Sequence, residues 1–275
     1  MSLRTFVPRR YERLIYSGRV LKNHQDALEV IASFFNASRM PKINLIDVGC
    51  YKGYFLDRFQ SLVRKPIFSV GIDPVRWEHV LPYSAFIEGA VTNQPEGSYD
   101  FYEYNDPMCN SLKKMNVDKI THDPAERSER YFVERHIETL TNVRSIEAAP
   151  LAALIQRLKM ENEILHFLKI DAQGCDLEVF LSLHEFIPRC LFVQLESLAS
   201  KNKDIALYEN QALFEEEKPV LEKYGFKLFS MTDYGQTGAS PEADVIFLNL
   251  PLFNQLHISS SWRRFWARAL SFVKC

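Results

Sequence analysis

A chain of 275 residues, 47% hydrophobic and 25% charged, has the composition of an ordinary globular protein and suits one large domain. A net charge of −2 leaves no basic field for a nucleic-acid partner. The five cysteines are odd in number and show no CxxC spacing, which excludes a zinc ribbon and fits reduced thiols in the cytoplasm.

In chain order, residues 1–40 form a basic segment followed by a helix. Between Arg4 and Lys22 the only acidic residue is Glu12. The start has no apolar core of signal-peptide length, and no window holds the run of about eighteen apolar residues that would span a bilayer. "HQDALEVIASFFNAS" puts Ala27, Val30, Ile31, Phe34 and Phe35 on one face and predicts a helix.

Residues 41–250 make the main domain. Strands are predicted over 43–48, 68–73, 84–91, 164–171, 191–196, 226–231 and 243–249, with helices over 54–65, 150–160, 177–186 and 212–225. Pro219 falls in the last helix and predicts a start or a kink there. Alternation of this kind predicts an α/β fold, a mainly parallel sheet with helices on both faces. The polar turn "TDYGQTGASPE" between the last two apolar runs predicts an antiparallel hairpin at the sheet edge.

Segment 101–142 breaks the rhythm. It is charged, aromatic, poorly periodic and longer than most connections, which predicts a substrate-side insertion. Arg127 and Arg130 within it could grip a carboxylate or phosphate, or simply form a solvated face. The tail, 251–275, places Trp262, Phe265, Trp266, Ala269, Leu270 and Val273 at helical spacing among cations alone. Such a helix can lie on an anionic membrane, a peripheral contact, or pack on the domain.

The chemistry starts at "NLIDVGCYKGYF", residues 44–55. An apolar run ends in Asp47, then Gly49 and Gly53 lead into an amphipathic stretch. A strand, a tight glycine turn and a helix N-terminus form a site for a nucleotide-like ligand at the carboxyl edge of a sheet. Tyr51 stands where a dinucleotide fingerprint needs its second glycine, and Asp47 offers a carboxylate to a cationic amino group. Asp73 ends the next strand twenty residues past Gly53, where it could accept ribose hydroxyls. "FLKIDAQGCDLEVF" brings a further carboxylate, Asp171, to the same rim. Two carboxylates there favour a cationic ligand between them, as in S-adenosylmethionine. Asp171 could equally cap the helix that follows.

Taken together, these stretches resemble the FkbM family of S-adenosylmethionine-dependent methyltransferases. The first motif, D-V-G-A-N-x-G-x-F in the family, is similar to Asp47–Phe55; the second, L-K-I-D-x-E-G-x-E, is similar to Leu168–Asp176. "GIDP", "GAVTNQPEGSYDFY", "CNSL", "VQLES" and "DVIFLN" match in order, so that the likeness runs from about 43 to 250. The resemblance implies a Rossmann-like class I methyltransferase fold and methyl transfer to oxygen of a small molecule or glycan. It also implies S-adenosyl-L-methionine as cofactor. By position, Asp47, Gly49, Tyr51, Gly53 and Asp171 would hold its methionine end, Asp73 the ribose, and Ala90 and Val91 the adenine. Trp77 could cover the adenine face or pack in the interior.

The resemblance is imperfect at two positions: Gln173 replaces a common Glu, and Ala152 replaces a common Asp. An acceptor hydroxyl needs a base. The candidates are Asp171, His122 or His136, and Glu196 at the end of the fifth strand. Asp171, Asp176 and Glu196 could supply oxygens to a metal, but their spacing is no metal motif, and none is expected. Two other functions compete: a dinucleotide-dependent oxidoreductase, and a degenerate domain that binds a partner or membrane without catalysis.

Overall fold

The sequence's long apolar runs become the interior strands of one sheet. In the computed structural model, which describes residues 23–77, 83–116, 139–199, 206–232 and 242–256, seven strands lie in the order β3-β2-β1-β7-β8-β10-β9. These are β1 (Ile43–Val48), β2 (Ile67–Asp73), β3 (Ala85–Glu88), β7 (Leu165–Ile170), β8 (Cys190–Leu198), β9 (Phe226–Met231) and β10 (Glu242–Asn249). Pairing is parallel from β3 through β8, and only β10 runs against its neighbours. β1 and β7 are buried at every position, as strands covered on both faces must be.

Helices cover the two faces. On one, α1 (His24–Ala37), α2 (Tyr54–Leu62) and α6 (Leu250–Gln255) pack on Leu45, Phe167 and Phe192. On the other, α3 (Leu151–Arg157), α4 (Asp176–Leu181) and α5 (Phe214–Lys223) pack on Ile46, Leu168 and Val193. Asn23 caps α1 by accepting from the Asp26 N–H (3.2 Å). The helix read together with the basic N-terminal segment thus belongs to the sheet's own core.

Three expectations need correction. The predicted strand 84–91 is two: after Glu88 the chain leaves the main sheet, and β4 (Ala90–Val91) joins a second sheet, β4-β6-β5. Segment 101–142 is not all insertion, because β5 (Gly97–Tyr104) and β6 (Leu140–Ala149) pair antiparallel across most of their length. β6 is largely exposed, so it lacks the continuous buried face that marks a strand in sequence. Pro219 neither starts nor stops its helix, which runs through it from Phe214 to Lys223.

The middle of the insertion with His122, Arg127, Arg130 and His136, the N-terminal residues 1–22 and the tail 257–275 lie outside the described residues. Among those described, no helix is long and apolar enough to cross a membrane.

Candidate active site

Strand order reverses between β1 and β7: the chain builds outward from β1 to β3, then returns to lay β7 on the other side of β1. Loops diverge at such a point and leave a crevice beyond the carboxyl ends of the strands. A cavity of about 850 Å³ opens there, within the range of small-molecule sites.

The glycine turn forms one wall. Gly49 (φ +67°), Tyr51 (φ +45°) and Gly53 (φ +81°) all adopt left-handed backbone. Gly49 has no alternative, because a Cβ there would sit 1.8 Å from the Asp171 carbonyl oxygen. That closeness stitches the β1 and β7 ends together: the Asp171 N–H donates to the Val48 carbonyl (3.1 Å), and the Gly49 N–H donates to Ile72 (2.9 Å).

Asp73 closes the turn from β2. Its Oδ2 accepts from the Tyr51 N–H (2.8 Å) and its Oδ1 from the Val75 N–H (2.8 Å). Burial raises its pKa despite these bonds. Trp77 also lines this end, with its ring 4.7 Å from that of Tyr51 and nearly edge-on to it. Ala90 and Val91 complete that wall.

Asp47 lies elsewhere than the sequence suggests. It is fully buried and does not line the cavity. The cation it meets is internal: Lys169 Nζ lies 3.3 Å from Asp47 Oδ1 and 3.2 Å from Asp171 Oδ2, and donates to the Gly49 carbonyl (2.9 Å). The Tyr83 hydroxyl donates to Asp47 Oδ2 (2.6 Å). Burial pushes the Asp47 carboxyl up, opposed by Lys169 and Tyr83. Burial would likewise lower the lysine, but Asp171 and Asp47 hold it above its ordinary value. Asp47 therefore fixes Lys169, and Lys169 fixes the turn.

The far wall is acidic. Asp171, Glu196, Glu242 and Asp244 line it, with Asp176 buried just beneath. Gln173 joins the first two, donating from Nε2 to Asp171 Oδ1 (2.8 Å) and Glu196 Oε2 (3.0 Å). Burial raises Asp171, yet Lys169 and Gln173 more than offset it and leave its carboxyl below the usual range. At Glu196, burial and the charge of Asp171 push the carboxyl well above that range. Asp176 is raised to about 7, mainly by burial. Among the described residues no group of three or more His, Cys, Asp or Glu side chains is arranged to hold a metal ion.

With this geometry in place, comparison with known families gives one match: the profile of the methyltransferase FkbM domain covers residues 47–228, well over half of the chain. The chain belongs to the FkbM methyltransferase family. Membership makes it a methyltransferase rather than a dinucleotide oxidoreductase. No curated protein and no solved structure matches it.

In this FkbM methyltransferase, the cavity brings together Gly49, Tyr51, Asp73, Ala90, Val91, Asp171 and Glu196 from five separate stretches of chain. Residues that the sequence did not single out support them. Lys169 carried a signal, since a lysine inside an apolar strand must have an acidic partner. Ser111 stood in the matching stretch "CNSL", whereas Tyr83 and Tyr208 carried no signal, for they reach the site only through folding. Ser111 donates to the Gln173 carbonyl (2.7 Å), and the Tyr208 hydroxyl lies 2.8 Å from Gln173 Oε1.

Proposed function

We propose that this chain binds S-adenosylmethionine in a Rossmann-like class I arrangement and methylates a hydroxyl oxygen of a small molecule or glycan. The observation that carries this reading is the cavity at the strand-order reversal, bounded by the glycine turn, Asp73 and two carboxylates. The residues fit the cofactor: Asp73 presents oxygens toward ribose hydroxyls, the Ala90–Val91 backbone is available to an adenine, and the acidic wall suits a ligand with cationic groups. When bound, S-adenosylmethionine supplies an electrophilic methyl group on a sulfonium centre.

The chain's own part is orientation and proton removal. Asp171 is a poor base, because Lys169 stabilises its ionised form. Glu196 is the alternative group for proton transfer, with a proton affinity that burial and the charge of Asp171 raise above that of its neighbour. Glu196→Gln is expected to lower turnover by about 10²- to 10⁴-fold. Its affinity for S-adenosylhomocysteine should stay within a few-fold of wild type; equal losses in both would remove Glu196 from proton transfer.

The test of the cofactor reading is calorimetric titration with S-adenosylmethionine, S-adenosylhomocysteine and NAD. Micromolar binding of the first two alone supports it; silence from all three, in folded protein, favours a non-catalytic binding domain. Asp73→Ala is expected to weaken S-adenosylhomocysteine roughly 10- to 100-fold, the worth of hydrogen bonds to a charged acceptor. Unchanged affinity would place the ribose elsewhere.

A further inference from the structure

Two carboxylates that converge on one cavity repel, because like charges at such range resist joint ionisation. Here a neutral group stands between them. Gln173 adopts a left-handed backbone (φ +49°), and its Nε2 reaches both Asp171 Oδ1 and Glu196 Oε2. An amide NH2 has two hydrogens and no charge, so each carboxylate receives one.

The orientation of that amide is held from behind. The Tyr208 hydroxyl lies 2.8 Å from Gln173 Oε1 and 2.9 Å from the Cys109 carbonyl oxygen. Its ring packs directly on Gly174, where a Cβ would meet ring carbons at 2.8 Å. The Ser111 hydroxyl fixes the Gln173 carbonyl, and Lys113 Nζ donates to the Gly174 carbonyl (2.7 Å). Side chain and backbone of Gln173 are thus both immobilised by the layer above it.

We propose that Gln173 is a positioning residue: by giving one amide hydrogen to Asp171 and the other to Glu196, it holds both carboxylates in one site. Asp171 is the member that faces Lys169, and Glu196 is the one offered to proton transfer. The role in proton transfer rests on the methyltransferase reading; the bridge itself does not. The charged and titratable groups around the pair are Lys169 on β7, Asp47 on β1, Asp176 on α4, Glu242 and Asp244 on β10, and Tyr208.

The test is Gln173→Glu, nearly isosteric, which replaces the double donor with a third carboxylate. Wild type and variant, free of ligand, are melted from pH 5.5 to 8.5. The new carboxyl has a folded pKa above its unfolded value of about 4.3. Its penalty is therefore absent at low pH and grows as pH rises through the folded pKa. The gap in Tm should widen by roughly 5 °C across the range. A gap that is constant with pH would show a merely structural role and overturn the proposal, as would no gap.

If Q173E does not fold, Gln173→Met serves instead, since it fills similar space and removes both amide hydrogens from the carboxylates. The same widening with pH is expected, and a wild-type pH profile overturns the bridge. Should wild type bind no S-adenosylmethionine while the pH-dependent gap is present, the functional reading falls and the bridge stands.

Discussion

Gly49→Ala is expected to lower stability by about 2–5 kcal/mol, the sum of a left-handed alanine and an overpacked contact. The added methyl would stand 1.8 Å from the Asp171 carbonyl oxygen, with the backbone at φ +67°. Neither obstacle can relax by a rotamer change. The β1 and β7 ends would have to part, breaking the Asp171 N–H to Val48 bond that joins them. In a domain this large the melting temperature should fall by roughly 5–15 °C. Gly97→Ala is the control. Its Cβ would meet only the Tyr99 side chain at 3.8 Å, so a change of less than about 1 kcal/mol is expected. Equal effects at the two glycines would show that the contact at Gly49 is unimportant.

Lys169→Met is the second large effect. Methionine fills similar space but leaves Asp47 buried with its cation gone, a loss of about 3–5 kcal/mol for a broken buried pair. The loss should depend on pH, with a sign set by two carboxyls. In wild type Asp171 is held below its usual range by Lys169, so the pair's contribution fades as pH falls through that lowered pKa. In the variant Asp47, unopposed by the lysine, has a pKa further above its unfolded value, and its penalty fades as acid protonates it. Both terms narrow the gap between wild type and K169M on acidification. Urea denaturation at pH 5 and pH 8 measures it. A gap that widened at pH 5 would mean that Lys169 is not the partner of these carboxylates.

The legibility of the sequence followed burial. β1 and β9 lie where their apolar runs place them, at Ile43–Val48 and Phe226–Met231, because most of their positions are buried. β6 escaped notice because most of it is exposed and its register is set by β5, some forty residues away. Pro219 does not start its helix, because the buried Phe214 and Leu221 anchor the turns on either side of it. At the site, Asp73 and Asp171 reach the cavity wall because a residue at a strand end has few places to go. Asp47 lies two positions deeper in the paired strands, opposite Gly71 and Lys169, and is fully buried there.

By itself, the sequence determined the strand–turn–helix units, the glycines that let two strand ends touch, and the family to which those motifs belong. These are local properties, fixed by hydrophobic period and backbone freedom within a dozen residues. Only the tertiary structure decided which carboxylate is neutralised, which is left to take a proton, and what stands between them. Lys169 and Gln173 share one stretch of chain but Glu196 and Tyr208 come from two others, and proton affinity depends on burial and on charges a few ångströms away, which no linear spacing encodes.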